Sequence, residues 1–504
     1  MVNSNLRQQI TDWYKSGEFL LQIGSQYHHD KNEQKVFIDE IVALHNEHII
    51  DVVEEFIGLK SSDQARDFFS CRRIFEESLP YIRAPIAEVM DCVKHLTLEA
   101  GTDMMAGSLI SPFIKYIKEN KYADDVLSIG LDNVDEAFDF IMPGLVAGAE
   151  IDLSNYLQKA IELTTSSNFI VKKRAIKSLG RIKYHDNKQF KQKAFDAIEN
   201  IVYSIDNVDL HNEAIQSIVS LNIFDLKDIS CVQRLFEYIL RSKDDLILHT
   251  LSDRLFYYPD YIPDEIAKIC LSALKEVNPK HQGTINNIDF VLQKLLAKKD
   301  IDTVIDFLEN YLVNNQREMV SIKSFQSILH EILEDQELRN KLTTRWFSSK
   351  KIILCRGVLD LVYETMGSKV TLAIDISEAK EEPNVKTYSF LARKACGWLF
   401  VHPVSAVSFI ISLIDYANED EVNEIKDILF NPLLMSYSGE AREYLNSIIN
   451  ESSDAVKKVI MALNSQLDEY HQNLQSANDI AELHPSQSQK ESYYRYNAKL
   501  MSSV

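Results

Sequence analysis

Four amphipathic helical stripes follow one another in the second half of the sequence, and this series constrains the fold more than any other feature. In the first stripe, apolar residues from Ile266 to Val277 recur three and four positions apart, which places them on one face of an α-helix. The next three repeat this spacing over residues 288–296, 301–312 and 322–333. Their separators are short and polar, such as Lys298-Lys299-Asp300, so we expect neighbouring helices to pack antiparallel.

The scarcity of turn-forming residues extends this expectation to the whole chain. The 504 residues include only 14 glycines and 11 prolines, well below the usual proportions of about 7% and 5%. Sheet proteins need these residues at many tight turns, whereas helix pairs joined by short polar loops do not. Because a single hydrophobic core stops growing near ~250–300 residues, the sequence predicts an all-α fold made of several domains or a stacked array.

One window has the alternating pattern of a β-strand instead. Val370, Leu372, Ile374 and Ile376 are apolar at every second position, the spacing that buries one face of a strand. A single strand would have no partner in an otherwise helical chain. We therefore expect a loop or an irregular helix that leads to the charged turn Lys380-Glu381-Glu382-Pro383.

Another window has the length of a membrane span. Residues from Ala395 to Ile414 include no Asp, Glu, Lys or Arg, and about 20 apolar residues are enough to cross a bilayer. Pro403 interrupts the window, and proline is favoured at the first position of a helix. We therefore expect two core helices, Phe390 to Phe400 and Val404 to Tyr416, and no membrane span.

The most specific pattern in the chain is the window Phe169-Ile-Val-Lys-Lys-Arg-Ala175-Ile-Lys-Ser-Leu179-Gly180-Arg-Ile182. It resembles the second helix of a HEAT repeat, in which a small residue packs close to the neighbouring helix and Leu-Gly precedes the exit. Comparable windows surround Ala214 and Ala395. Ala175 and Ala214 are 39 residues apart, and Gly357 precedes Ala395 by 38, in agreement with a helical-repeat period of about 40.

This resemblance to HEAT and armadillo-like arrays predicts the domain organisation. We expect a divergent helical region at 1–154, HEAT-like helical repeats at 155–465, and a C-terminal helix with a polar tail at 466–504. The resemblance implies an α-solenoid of stacked antiparallel helix pairs. Such arrays present a curved surface that binds other macromolecules, usually proteins and sometimes nucleic acid.

Charge is distributed unevenly along the chain. Asp124 to Asp152 holds eight acids and no base, whereas Lys172 to Lys193 holds nine bases and one acid. We call the latter segment the first basic cluster. Within it, Lys173, Lys177 and Arg181 recur every four residues and form one helical ridge. Two interpretations stay open: a solvated face balanced by the preceding acids, or a docking face for an acidic partner or a phosphate backbone.

A second basic cluster, Arg339 to Arg356, places six basic residues around Trp346-Phe347. Interleaved bases and aromatics can bind single-stranded nucleic acid, although Trp346 is equally expected as a core anchor at a helix end. The candidate partner-binding residues of the two clusters are Lys172, Lys173, Arg174, Lys177, Arg181, Lys183, Arg345 and Trp346.

Motifs for catalysis and metal binding are missing. The sequence has no phosphate-binding loop, dinucleotide fingerprint, zinc-protease motif or hydrolase nucleophile elbow. His45, His48 and Asp51 are three residues apart and could share a helix face as metal ligands, but no fourth ligand is evident. We interpret them as a polar helix face, and His28-His29-Asp30 as a polar loop.

Two residue pairs could support catalysis on a helical scaffold. Arg181 and His185 resemble the Arg and His pair of HEPN ribonucleases, but they are separated by three residues instead of the four to six that this family needs. Cys396 and His402 could act as nucleophile and base. Cys396 lies in the most apolar window of the chain, however, and such surroundings raise a thiol pKa. We therefore expect no enzymatic activity.

The overall composition fits a protein-binding role. A net charge of -21 disfavours general nucleic-acid or anionic-membrane binding. The six cysteines are scattered without a C-x-x-C pair, and the N-terminus has no secretory signal pattern, so we expect a cytoplasmic protein. We predict a non-enzymatic scaffold or adaptor that binds protein partners without a cofactor. The alternative is a HEAT-like nucleic-acid-binding subunit that uses residues 172–193. The sequence leaves the oligomeric state open.

Overall fold

Helices account for 78% of the chain in the computed structural model, and the residues it describes contain no β-strand. These residues are 2–25, 31–62, 67–222, 229–318, 320–363, 369–380, 386–478, 480 and 484–501. The prediction of an all-α fold is confirmed. His28-His29-Asp30, predicted to form a polar loop, lies outside the described residues.

The chain forms two compact units, Met1–Ala273 and Leu274–Val504. The predicted repeat boundaries at 154 and 465 stay predictions. The helices of the first unit, the last of which ends at the boundary, are α1 (Val2–Ser16), α2 (Phe19–Ser25), α3 (Lys31–Asn46), α4 (Val52–Ile57), α5 (Phe68–Ser78), α6 (Ile86–Ala100), α7 (Ile110–Asn120), α8 (Ala123–Asp132), α9 (Val134–Ala137), α10 (Ile141–Ile151), α11 (Leu153–Leu163), α12 (Phe169–Arg181), α13 (Lys188–Ser204), α14 (Val208–Leu221), α15 (Ile229–Leu240), α16 (Asp245–Tyr257) and α17 (Asp264–Leu274). Short 3₁₀ helices lie at Leu79–Tyr81, Met104–Gly107 and Phe138–Phe140.

The second unit continues the helical series. Its helices are α18 (Gln282–Ala297), α19 (Ile301–Asn314), α20 (Gln326–Glu334), α21 (Gln336–Ser348), α22 (Ile352–Tyr363), α23 (Thr387–Trp398), α24 (Pro403–Ser412), α25 (Glu419–Ile428), α26 (Ser438–Ile448), α27 (Asp454–Asn478) and α28 (Gln487–Met501). A π-helical turn at Leu429–Leu434 joins α25 to α26, and 3₁₀ turns lie at Gln316–Glu318, Ile322–Ser324 and Ile376–Glu378.

In the first unit, a row of helices forms one layer. α10 packs on α7 and on α12, α12 packs on α14, and α14 packs on α16. A second set lies against this row, since α11 contacts α10, α12 and α13, and α13 contacts α12 and α14. The inner helices of the row, α10, α12 and α14, therefore each pack on a neighbour on either side and on at least one helix of the second set.

α12 is the central helix of this row, and its sequence explains its position. It begins where the Asn168 side chain accepts hydrogen bonds from the backbone amides of Ile170 and Val171, a standard N-cap. Ala175 and Leu179 are fully buried and Ile182 is nearly so, which confirms the predicted register. A Cβ at Gly180 would lie 2.5 Å from Ser217 Cα, so α12 and α14 approach as closely as they do because residue 180 has no side chain.

Most of the predicted helices are present, with one change of helix type. Three of the stripes lie on α17, α18 and α19, whereas the fourth begins in the 3₁₀ turn Ile322–Ser324 and becomes α-helical at Gln326. The apolar window near Pro403 forms the two predicted helices, α23 and α24. Among the described residues, no helix is long and apolar enough to cross a membrane.

The strand-like window is an extended segment without a strand partner. Helix side chains bind its backbone from two sides: Ser408 and Ser412 of α24 accept hydrogen bonds from Leu372 and Ile374 at 2.9 and 2.8 Å. On the other side, Asn340 and Thr344 of α21 accept bonds from Ala373 and Asp375, both at 2.9 Å. The predicted charged turn that follows lies mostly outside the described residues.

Hydrogen bonds between packed elements recur at sequence separations of mostly 31 to 43 residues. In the second unit, Ile328 donates to Asp289 and Ser321 donates to Asp360, both across 39 residues. Lys386 donates to Glu424 across 38 residues. In the first unit, the buried Ser217 hydroxyl of α14 donates to the Ile176 carbonyl of α12 across 41 residues.

Candidate functional site

The residues considered for metal binding stabilise local structure instead. His45 is buried, and its Nδ1 accepts a hydrogen bond from the Val52 amide at 3.2 Å. Asp51 caps α4 by accepting hydrogen bonds from the amides of Val53 and Glu54. Within the described part of the chain, no group of three or more His, Cys, Asp or Glu side chains is placed to hold a metal ion.

The pairs considered for catalysis show no activated nucleophile. Cys396 is half-buried, and burial raises the pKa of its thiol, so the thiolate form is disfavoured at neutral pH. Burial also lowers the pKa of His402. Arg181 is the last residue of α12, whereas His185 lies in the following turn with a positive φ of 49°.

The ridge of the first basic cluster faces carboxylates on the next helix of the row. Lys173 Nζ lies 3.5 Å from Asp209 on α14, and Lys177 Nζ lies 3.9 Å from Glu213. Each acid is 36 positions after its base. The same offset from Arg181 leads to Ser217, so α14 offers no carboxylate to the last base of the ridge.

The acidic stretch before α12 neutralises two further bases. Arg174 Nη2 lies 2.5 Å from Asp139, and Lys183 Nζ lies 2.7 Å from Glu150 of α10. Glu150 also pairs with Lys118 at 3.1 Å. The predicted balance between acids and bases is therefore present for these two bases, whereas Lys173 and Lys177 are balanced by α14. Lys172 has no carboxylate within 4 Å among the described residues.

Burial and the paired charges have opposite effects on the pKa values of Lys177 and Glu150. Burial is the largest influence on Lys177 and lowers its pKa, and repulsion from Arg174 and Arg181 adds to this effect against the attraction of Glu213. Burial alone would raise the pKa of Glu150, but hydrogen bonds from Lys183 and Lys118 outweigh it and hold that pKa below its usual range. Burial therefore determines the direction of the pKa shift of Lys177, whereas the paired lysines determine that of Glu150.

A cleft of about 510 Å³ lies where the ridge ends. Helices α7, α10, α12, α14 and α16 contribute to its wall, and its charged side chains are Lys177, Arg181, Lys183, Arg254, Glu150 and Glu213. The two carboxylates are already paired with lysines. Among the described residues, neither Arg181 nor Arg254 has a carboxylate within 4 Å. The cleft therefore has two guanidinium groups without an ionic partner.

Arg254 and its neighbour Tyr258 complete the cleft at the end of α16. The Nε of Arg254 is buried and has no hydrogen-bond partner in the part of the chain that the structure describes. Its guanidinium lies 5.2 Å from the centre of the Tyr258 ring, within the range of a cation–π contact. Tyr258 in turn contacts Tyr261, whose side chain is 56% exposed.

The sequence prediction missed Arg254 and Tyr258. Arg254 stands alone among apolar and polar residues in α16 and belongs to neither basic cluster. Only the packing of α16 on α14 brings it to the wall that Arg181 also lines. The ion pairs between α12 and α14 join residues 36 positions apart. The same offset places a serine, Ser217, rather than an acid opposite Arg181.

Two bases of the second basic cluster, Lys341 and Arg345, are held in ion pairs with a neighbouring helix. Lys341 of α21 pairs with Asp302 at 2.8 Å, and Arg345 pairs with Glu309 at 2.7 Å and also contacts Asp306. All three acids lie on α19. Arg345, a candidate partner-binding residue, is therefore held by two carboxylates of a neighbouring helix.

Trp346 requires a correction. Its side chain is fully buried, and a Cβ at Gly357 would lie 2.5 Å from its Cζ3 atom. The ring is therefore packed against the backbone of α22 and cannot reach a partner at the surface. Of the two expectations for this residue, the core anchor is the one that its burial supports.

Comparison with known proteins adds no family. No family model matches the sequence, and no curated protein matches it. Among solved structures, it is similar to an engineered protein whose crystal structure was determined by the Northeast Structural Genomics Consortium, with 13% identity over 84% of this chain and 97% of that chain. The TM-score is 0.24, so this likeness carries no argument about fold or function.

Proposed function

We propose that this protein is a non-enzymatic α-solenoid scaffold that binds a protein partner. What supports an array of stacked helix pairs is the recurrence of hydrogen bonds between packed elements at sequence separations of mostly 31 to 43 residues. Separations close to one repeat length are expected when each helical unit contacts only its neighbours along the chain. The row from α7 to α16 would then be one continuous binding face.

The cleft between α12, α14 and α16 is the part of this face that we assign to the partner. Arginine and tyrosine are enriched among the residues that carry most of the binding free energy at protein interfaces. Arg181, Arg254 and Tyr258 line the cleft together, and neither arginine is neutralised within the described part of the chain. This combination is the observation that carries the proposal.

A nucleic-acid-binding subunit is less well supported. Binding to a phosphate backbone depends on several bases that are free to replace counterions. In the first basic cluster, Lys173, Arg174, Lys177 and Lys183 already have carboxylate partners. Arg181 lines the cleft without a carboxylate partner, and Lys172, Lys188, Lys191 and Lys193, which also lack one among the described residues, lie outside it. Four of the nine bases are therefore already neutralised.

Site-specific cross-linking tests the scaffold proposal. A photo-reactive amino acid at Ser220, an exposed residue that lines the cleft, should capture a partner that mass spectrometry can identify from the native cell. The partner should then bind the purified protein and be captured again at the same position. A matched control carries the same amino acid at Asn200, an exposed residue of α13 outside the cleft.

The scaffold proposal predicts capture at Ser220 and none at Asn200. Equal capture at both positions would show that the cleft is not the binding face. If the purified protein forms no complex with any partner recovered from cells, the scaffold role itself is wrong.

A further inference from the structure

We propose that the cleft binds an acidic segment of a protein partner, with Arg181 and Arg254 as its anchors and Tyr258 as its aromatic wall. This inference rests on the scaffold role proposed above and specifies the chemistry of the partner. Its basis is that Lys177 and Lys183 are paired with carboxylates, whereas the two arginines of the same cleft have no carboxylate partner among the described residues.

The charges of the cleft select an anion. Lys177 and Lys183 pair with Glu213 and Glu150, so these four groups contribute little net charge. Arg181 and Arg254 then leave an excess of two positive charges. A carboxylate that enters the cleft can accept hydrogen bonds from a guanidinium group in the bidentate geometry that makes Arg–carboxylate pairs strong.

The burial of one atom of Arg254, its Nε, strengthens this argument. A buried polar group without a hydrogen-bond partner costs free energy, and the cost is larger for a charged group. The Nε of Arg254 is such a group among the described residues. A carboxylate close to this guanidinium would offset the cost that the free protein bears. Arg181 is more exposed and can contact an anion as it approaches the cleft.

The aromatic wall favours a peptide with side chains beside the acids. Tyr258 is 37% exposed and lies between the Arg254 guanidinium and the more exposed Tyr261. These rings offer apolar area with little loss of conformational entropy on binding. The half-buried Gln216 also lines the cleft and can donate a hydrogen bond to a backbone carbonyl. Together these groups suit a short segment of polypeptide.

The size of the cleft and its surroundings disfavour a duplex. A volume of about 510 Å³ accommodates a few side chains, whereas a duplex needs a long basic surface. The bases that line the cleft without a carboxylate partner among the described residues are two, Arg181 and Arg254, which is too few for a long phosphate backbone. The partner segment is therefore expected to be acidic over a short length.

Peptide binding measured by fluorescence anisotropy tests the inference. The probe is a fluorescein-labelled polyglutamate peptide, and the purified full chain is titrated at low ionic strength. Arg181→Gln and Arg254→Gln should each weaken binding by about tenfold, because each loses a charge-assisted hydrogen bond to a carboxylate of the peptide. The double variant should weaken it by about 100-fold, and added salt should weaken binding by the wild type.

Lys173→Gln is the matched control. It removes the same charge from the same helix, but Lys173 is paired with Asp209 and does not line the cleft. This variant should bind polyglutamate as the wild type does. Circular dichroism should show the same helix content for all variants. An equal loss in the Lys173 variant would show attraction to general positive charge and overturn the assignment of the cleft.

Other outcomes separate this inference from the scaffold proposal. If the partner is captured at Ser220 but polyglutamate does not bind, the scaffold role stands and the acidic-segment inference is wrong. If polyglutamate binds through the two arginines while no partner is captured, the chemistry of the cleft stands and the scaffold role is wrong. Tighter binding of duplex DNA with the same dependence on both arginines would replace the acidic segment with nucleic acid.

Discussion

The two basic clusters are both rich in Lys and Arg but have different electrostatic surroundings. In the second, Lys341 and Arg345 of α21 are both paired with acids of α19, and the aromatic residue between the bases is buried. In the first, Lys173 and Lys177 are paired with acids of α14, but Arg181 on the next turn of the same ridge has no carboxylate partner among the described residues. The first cluster therefore ends in a cleft that Arg181 lines without a carboxylate partner in the described part of the chain.

Whether a base is available to a partner therefore depends on residues some 33 to 39 positions away. Lys341 lies 39 residues from its partner Asp302, and the ridge of α12 meets acids after 36. A run of bases in the sequence is therefore a docking candidate only where the matching position on the adjacent helix is not acidic. At Arg181 that position is Ser217.

The greatest loss of stability is expected for Trp346, and it tests whether this residue of the second cluster lies in the core or at the surface. Trp346→Ala should lower the free energy of unfolding by about 3–5 kcal/mol, because it removes a fully buried ring and leaves a cavity. Urea denaturation measures this change. If Trp346 were a surface contact, the substitution would change stability by less than about 0.5 kcal/mol.

A smaller loss of stability is expected at Gly180, where α12 of the first cluster packs closely on α14. Gly180→Ala should lower the free energy of unfolding by about 1–3 kcal/mol, since the new Cβ would lie 2.5 Å from the backbone Cα of Ser217 and force α12 away from α14. Gly397→Ala in α23 is the matched control. Its Cβ would meet no atom within 4 Å, so it should stabilise the helix by about 0.4–1 kcal/mol. Equal effects in thermal or urea melts would show that α12 and α14 are not in close contact.

Much of the fold could be predicted from the sequence because helix formation is recorded locally. Apolar residues three and four positions apart identify the buried face of a helix wherever it packs, as in the register of Ala175 and Leu179. The extended segment near Leu372 could not be predicted in this way. Its conformation is stabilised by Ser408 and Ser412, and nothing in the local sequence indicates that these hydroxyl groups are close.

The candidate site was predictable only in part, for the same reason. The bases of α12 stand out in the sequence, but whether each is neutralised depends on α14 and α10. Arg254 carries no local signal at all, because its significance comes from its position beside Arg181 and from a buried Nε without a partner in the described residues. Local patterns therefore identified the charged helix, and tertiary packing determined which part of it is available.

Charge reversals within the ridge should change stability least, and they test whether Lys177 is paired and Arg181 is not. Lys177→Glu should lower the free energy of unfolding by about 1–2 kcal/mol, because it places a carboxylate beside Glu213. The Lys177 and Glu213 side chains are only 25% and 11% exposed, so the cost should lie between that of an exposed pair, ~0–1 kcal/mol, and that of a broken buried pair, ~3–5 kcal/mol. Arg181→Glu, the matched reversal one turn later, should change stability by less than about 0.5 kcal/mol. Urea melts at low and high salt measure both variants, and salt should reduce the cost of the Lys177 reversal. Equal costs for the two reversals would mean that Arg181 is neutralised as fully as Lys177. The ridge of the first cluster would then have no unpaired base, like Lys341 and Arg345 in the second.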